Sequence, residues 1–206
     1  MVVYGLPTSM TTASSVTEPL FQRGSQYQQF RPTYPVSLFQ WLADQSAGHD
    51  CALDLGSGSG QASRGLEPWF RQVLGADISH EQLLAAPASR SHYLLSMANR
   101  LPLADASLDL ITVAQAYHWF DQAAFHAEAQ RTLCPGGMLA LISYGVCEVT
   151  GLGSMIQDFH DGPLAPWWPP ERAQVVAGYP DADLPWPALT YPGDRITLDW
   201  SATDML

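Results

Sequence analysis

Residues 51–60, Cys51-Ala52-Leu53-Asp54-Leu55-Gly56-Ser57-Gly58-Ser59-Gly60, constrain the fold more than any other stretch. The first five read as a short buried strand, with Asp54 near its end. Gly56, Gly58 and Gly60 then alternate through a turn, and a helical pattern opens at Gln61-Ala62-Ser63-Arg64-Gly65-Leu66. Strand, glycine turn and helix in this order bring backbone N–H groups close to a nucleotide-like ligand. A dinucleotide fingerprint, G-x-G-x-x-G, needs glycine at position 61, where this chain has Gln61. Taken alone, a Gly/Ser stretch of this length is also compatible with an ordinary tight turn.

The stretches that follow repeat an alternating strand and helix pattern. The helix after the glycine turn is expected to reach about residue 70, with Leu66, Trp69 and Phe70 facing the sheet and Pro68 placed to shorten it. Residues 72–77 read as a second strand ending in Asp77, which lies 23 positions after Asp54. A βαβ unit places a carboxylate on a ribose at about 20 residues' spacing, and a carboxylate can accept from both ribose hydroxyls. Asp77 could instead cap the next helix, expected at 80–86, with Ser79 in the other capping role. A third strand is expected at 92–96. The run Leu110-Ile111-Thr112-Val113-Ala114 reads as a central parallel strand, apolar on both faces. It delivers Gln115-Ala116-Tyr117-His118-Trp119-Phe120-Asp121 to the carboxyl edge of the sheet, where open α/β sheets bind ligands. Asp121 caps a helix expected to run through Leu133, and Pro135-Gly136-Gly137 turns the chain into a last apolar strand near 138–142.

Four stretches carry a family resemblance. Asp54-Leu55-Gly56-Ser57-Gly58-Ser59-Gly60 resembles the D/E-x-G-x-G-x-G motif of class I S-adenosylmethionine (SAM)-dependent methyltransferases. Met97-Ala98-Asn99-Arg100-Leu101-Pro102 with Asp105, Ser107, Asp109 and Leu110 is similar to the family's A-E-x-L-P-x-x-D-x-S-x-D-L stretch, Asn99 standing where an acid is common. Gln115-Ala116-Tyr117-His118-Trp119-Phe120-Asp121 resembles the Q-A-x-H-W-F-D signature of a subgroup that includes trans-aconitate-type enzymes. Arg131-Thr132-Leu133-Cys134-Pro135-Gly136-Gly137-Met138-Leu139 is similar to R-x-L-x-P-G-G-x-L. The resemblance implies a Rossmann-like α/β fold with a mainly parallel sheet, helices on both faces and a small cap. It implies a SAM site made of Asp54, Gly56, Ser57, Gly58, Gly60, Asp77, Ile78, Ala98, Asn99, Gln115 and Ala116. His118 follows a strand end, which suits a general base or a polar clamp on the substrate, and equally a packed histidine between aromatics. Trp119 reads as ligand-facing or as core.

Outside the core the signals thin. Residues 1–20 lack periodicity and are expected to be a loose arm ahead of a SAM-binding core at 21–147. Residues 21–35 hold Tyr27, Phe30 and Tyr34 among Arg31, Pro32 and Pro35, resembling the subgroup's opening. The segment is either a strap on the core or a lid. A helix is expected over 36–47. Residues 148–206 hold eight of the 16 prolines and four of the seven tryptophans, with nine acids against Arg172 and Arg195. They are expected to form a cap or substrate-recognition segment, either truncated or complete, with short helices at 152–159 and 171–177. The antiparallel strand pair that usually ends the family fold is not visible, so the edge of the last core strand is expected to drive dimerisation or to lower solubility unless residues 180–200 fill it.

Composition excludes several function classes. The net charge is −11, lysine is absent and all nine cations are arginine. That balance suits neither nucleic acid nor an anionic membrane surface. Three dispersed cysteines without C-x-x-C suggest no metal and a reducing compartment, and no basic start precedes an apolar run, which together indicate the cytoplasm. The expectation is therefore a monomeric or homodimeric SAM-dependent methyltransferase acting on a small molecule, a carboxylate being one option. On the substrate side the candidates are Tyr27, Arg31, Tyr34, His118, Trp119 and Arg172, with Arg31 or Arg172 as the clamp. A SAM-binding protein without turnover and an NAD-dependent oxidoreductase are the alternatives.

Overall fold

A computed structural model describes residues 2–6, 32–149, 151–152, 154–180, 182, 184–193 and 196–197. In chain order its elements are β1 (Val2–Leu6), α1 (Val36–Gln45), β2 (Cys51–Leu55), α2 (Gln61–Leu66), β3 (Gln72–Asp77), α3 (His80–Leu84), β4 (His92–Leu95) and β5 (Leu108–Ala114). Then follow α4 (Gln122–Thr132), β6 (Leu133–Tyr144), α5 (Met155–Asp161) and α6 (Arg172–Ala177). The six strands form one sheet in the order β1-β6-β5-β2-β3-β4, and every pair is parallel. The chain runs outward from β2 through β3 to β4, then returns to β5 beside β2. That reversal is the switch point at which the carboxyl ends of neighbouring strands diverge and open a crevice.

Side-chain alternation splits the core between the two faces of the sheet. Ala52, Leu110, Ala140 and Ile142 face α1 and α2, where Leu38, Phe39, Leu42 and Leu66 are buried. Leu53, Leu55, Ile111, Val113, Leu139 and Leu141 face the other way, onto Phe125 and Ala129 of α4. A period of two on strands covered by helices on both sides yields the continuous apolar runs seen in the sequence. Burying each of these large aliphatic side chains contributes about 1.5–3 kcal/mol.

Two local expectations need correction. Helix α2 stops at Leu66, four residues short of 70, because Pro68 has no N–H to donate and disfavours helical geometry just before it. Phe70 still reaches the core through a turn in which its N–H donates to the Leu66 carbonyl. Within the arm expected at 1–20, Val2–Leu6 instead forms strand β1, in register with residues 141–144 of β6. It takes the sheet edge that the sequence had left open, and residues 7–20 lie outside the described ones. Residues 180–200 do not join the sheet in the described part. Tyr191 and Ile196 pack on the α1 face, with the Tyr191 ring 5.2 Å from that of Trp41. Among the described residues no strand follows β6.

Candidate functional site

The glycine turn is built by backbone sterics. Gly56, Gly58 and Gly60 all have left-handed φ values, 71°, 52° and 77°. At Gly56 a β-carbon would also stand 2.5 Å from the Ala116 methyl, and at Gly60 it would run into the Tyr93 ring, 2.7 Å from Cζ. Only glycine meets both demands. The turn is tied to the next strand: the N–H groups of Gly56 and Ser57 donate to the Ala76 carbonyl at 2.8 and 3.0 Å.

Two strand-end acids flank this turn and do different things. Asp54 is buried, and its Oδ2 accepts from the Ser63 N–H at 2.8 Å and from the Ser63 hydroxyl at 2.7 Å. It thereby anchors α2, while Thr112 Oγ1 lies 3.3 Å from its other oxygen. Burial outweighs these bonds and raises the Asp54 carboxyl to about 6. Asp77 accepts the Gly58 N–H on Oδ2 at 2.7 Å and the Ser79 N–H on Oδ1 at 2.8 Å. The helix cap belongs to Ser79, whose hydroxyl accepts from the Gln82 N–H at 3.3 Å. The two backbone donors fix the Asp77 carboxylate and leave each oxygen a further lone pair.

The strand end of β5 supplies the opposite wall. Gln115 has φ +56°, a left-handed conformation uncommon for a side-chain-bearing residue. Its Nε2 is buried without a hydrogen-bond partner, as is the Ser57 hydroxyl. A 3₁₀ turn at Tyr117–Trp119 follows. Tyr117 is buried, and Trp119 is 46% exposed.

These parts enclose a cavity of about 810 Å³ at the carboxyl edge of the sheet. Asp54, Gly56, Ser57, Gly58, Asp77, Ile78, Ala98, Asn99, Gln115 and Ala116 all line it, as do Tyr34 and Trp119. Gly60 does not line it; it is spent on clearance from Tyr93. His118 and Arg172 do not line it either. His118 Nδ1 lies 3.0 Å from the Tyr179 hydroxyl, and Arg172 lies 4.1 Å over the Trp168 ring with its Nε donating to His160 Nε2 at 3.2 Å. Tyr27 and Arg31 lie outside the described residues. The sequence reading missed Thr33, Gln61, Arg64, Ser79, Met97 and Phe120, all on the cavity. Ser79 and Met97 flank residues that were singled out, and Gln61 and Arg64 sit in the helix opened by the glycine turn, so adjacency was an available signal.

The cavity wall combines groups that could hold a nucleoside. A fixed carboxylate is available for vicinal hydroxyls. Ile78 and Met97, 75% and 59% exposed, offer apolar surface for a flat base. Two orphaned polar atoms, on Ser57 and Gln115, await partners, since buried polar groups are rarely left unpaired. Among the described residues no group of three or more His, Cys, Asp or Glu side chains could hold a metal, and no helix is long and apolar enough to cross a membrane.

The parallel sheet, its switch point and the glycine turn define a Rossmann-like α/β protein. A family model described as a methyltransferase domain matches residues 53–141, from β2 into β6. A provisionally named type II methyltransferase structure from Anaeromyxobacter dehalogenans is 39% identical, with a TM-score of 0.74 over 79% of this chain and 70% of that one. A provisionally named methyltransferase of Dictyostelium discoideum is 35% identical over 161 residues, which is 75% of this chain and 61% of the relative. An uncharacterised methyltransferase of Mycobacterium bovis is 38% identical over 118 residues, 56% of this chain and 48% of the relative. The chain thus spans roughly two fifths to two thirds of the length of these and the other curated relatives it matches. It belongs to the class I SAM-dependent methyltransferase family.

Proposed function

We propose that the protein binds SAM in this cavity and transfers its methyl group to a small-molecule acceptor, with a carboxylate oxygen as the receiving atom. The observation that carries the reading is Asp77, a carboxylate held by the Gly58 and Ser79 N–H groups at the cavity wall. In this reading Asp77 accepts the ribose hydroxyls. The turn at Gly56, Ser57 and Gly58 lies against the nucleoside. Ile78, Met97, Ala98 and Asn99 line the base, and Gln115 and Ala116 face the tail. Tyr34 and Trp119 close the acceptor side. When bound, SAM supplies an electrophilic methyl on a cationic sulfonium. The protein's contribution is to hold the nucleophile in line and to exclude water.

Two further observations favour a carboxylate. Among the described residues no histidine lines the cavity to take a proton from a hydroxyl or amine acceptor, and a carboxylate needs none removed. Relatives from Dechloromonas aromatica and Coxiella burnetii, 35% and 34% identical, are named malonyl-[acyl-carrier protein] O-methyltransferases. The same absence also favours a second reading, SAM binding without turnover.

Calorimetric titration with S-adenosylhomocysteine, with NAD as a parallel control, tests the cofactor. Micromolar binding of the former alone, lost in Asp77→Ala, is expected. Binding of NAD in its place, or of neither ligand, removes the reading. Turnover of carboxylate acceptors by a protein that binds S-adenosylhomocysteine separates the enzyme from the binder.

A further inference from the structure

We infer that Arg64 makes one end of the cavity a carboxylate-binding corner, an inference that rests on the SAM reading above. Among the described residues Arg64 is the only arginine lining the cavity, in a chain of net charge −11 without lysine. Its Nη1 donates to the Ser59 carbonyl at 2.9 Å, which pins the guanidinium beside the glycine turn. A guanidinium has five N–H donors, so a single bond to a carbonyl leaves the planar fork able to grip a carboxylate with two.

The acids on the cavity are already turned elsewhere. Asp54 binds Ser63, Asp77 binds Gly58 and Ser79, and Asp121 accepts from the Ala124 N–H at 3.2 Å. Among the described residues no carboxylate lies within ion-pair distance of Arg64. The corner is also held in shape from its other side. The Gln61 amide donates to the Pro32 carbonyl at 2.9 Å, which seats Thr33 and Tyr34 on the same cavity. The sheet order sets the direction. Ile78 and Met97 follow β3 and β4, toward one edge, while Arg64 rides on the helix after β2. A nucleoside lying over Ile78 and Met97 therefore leaves the Arg64 corner for a carboxylate further along. That carboxylate belongs either to the amino-acid tail of SAM or to the acceptor.

The test compares the full chain with its Arg64→Gln variant by calorimetry. Gln keeps a donor for Ser59, and Arg64→Lys serves as a second variant that keeps the charge without the fork; both should melt near the wild type. The ligands are S-adenosylhomocysteine, 5′-methylthioadenosine, which has the nucleoside but no carboxylate, and malonate titrated into the protein saturated with S-adenosylhomocysteine. Arg64→Gln should leave 5′-methylthioadenosine within about twofold and weaken one carboxylate ligand by about tenfold or more, with Lys between. Loss on S-adenosylhomocysteine assigns the corner to the cofactor's tail; loss on malonate alone assigns it to the acceptor. If the wild type binds both nucleosides and Arg64→Gln changes neither carboxylate ligand, or weakens all three alike, the corner is refuted while the SAM reading stands. A wild type that binds neither nucleoside overturns both.

Discussion

The Tyr179 hydroxyl lies 3.0 Å from His118 Nδ1, and this pair joins the segment after α6 to the turn that carries Trp119. Tyr179 is buried just after α6, at φ +56°, with its ring edge-on to Tyr117 at 5.2 Å. Burial pushes its phenol pKa up, so the hydroxyl keeps its proton through neutral pH. His118 in turn packs on Trp119, with ring centroids 4.6 Å apart. His118 thus packs between Tyr179 and Trp119, and Trp119 lines the cavity.

Tyr179→Phe keeps the ring and loses the hydrogen bond, so it should destabilise by about 1 kcal/mol in urea unfolding. Tyr179→Ala also opens a core cavity and should cost about 3–5 kcal/mol. A Phe variant as stable as the wild type would show that the pair does not hold the segment after α6 in place.

Gly60→Ala meets two separate penalties, the left-handed φ of 77° and the Tyr93 ring. The first is worth about 1–2 kcal/mol and the second about 1–3 kcal/mol. A double-mutant cycle separates them. In a Tyr93→Val background, Gly60→Ala should cost at least about 1 kcal/mol less than in the wild type, the remainder being the backbone term. Equal costs in both backgrounds would mean that Tyr93 yields freely and that φ alone selects glycine.

Particular residues show what was legible in the sequence. Strands 51–55 and 72–77 were readable because apolar runs are punctuated by glycines and acids at strand ends. The place of Asp77 at the end of its strand was readable because a βαβ unit fixes its spacing from Asp54. Strand β1 was not, since five residues carry no usable period and their partner, β6, lies more than 130 positions away. The direction in which His118 faces stayed open for a geometric reason. In a 3₁₀ turn successive side chains point about 120° apart, so Tyr117, His118 and Trp119 diverge to the core, to Tyr179 and to the cavity, and spacing after a strand cannot tell which goes where. Arg64 escaped because one cation in a short helix makes no pattern until the fold brings the cavity to it.

Asp54 gives the protein a stability term with a defined pH window. Its carboxyl is raised from 3.8 to about 6 by burial, so the fold favours the protonated form. That contribution is fully present below about pH 4 and fades as pH rises through 6, by roughly 3 kcal/mol in all. Asp54→Asn keeps an oxygen for Ser63 and does not titrate. The stability of Asp54→Asn minus that of the wild type should therefore rise by roughly 2–3 kcal/mol between pH 4 and pH 7, other groups cancelling. Urea titrations at the two pH values measure it; a flat difference would place the Asp54 carboxyl at its ordinary value.

Gln115 combines backbone strain with an orphaned amide, a pairing expected where a residue serves a ligand rather than the fold. Gln115→Gly relieves the φ of +56° and removes the buried unpartnered Nε2, each worth about 1 kcal/mol or more. Against this, glycine adds unfolded-chain freedom worth about 0.5–1 kcal/mol. The variant should melt at or slightly above the wild-type temperature without ligand, while its affinity for S-adenosylhomocysteine falls about five- to tenfold through loss of one hydrogen bond. Thermal melts and calorimetry on the same preparations decide the point. A variant that is about 2 kcal/mol less stable would show that the amide serves the fold, and unchanged affinity would show that it never reaches the ligand.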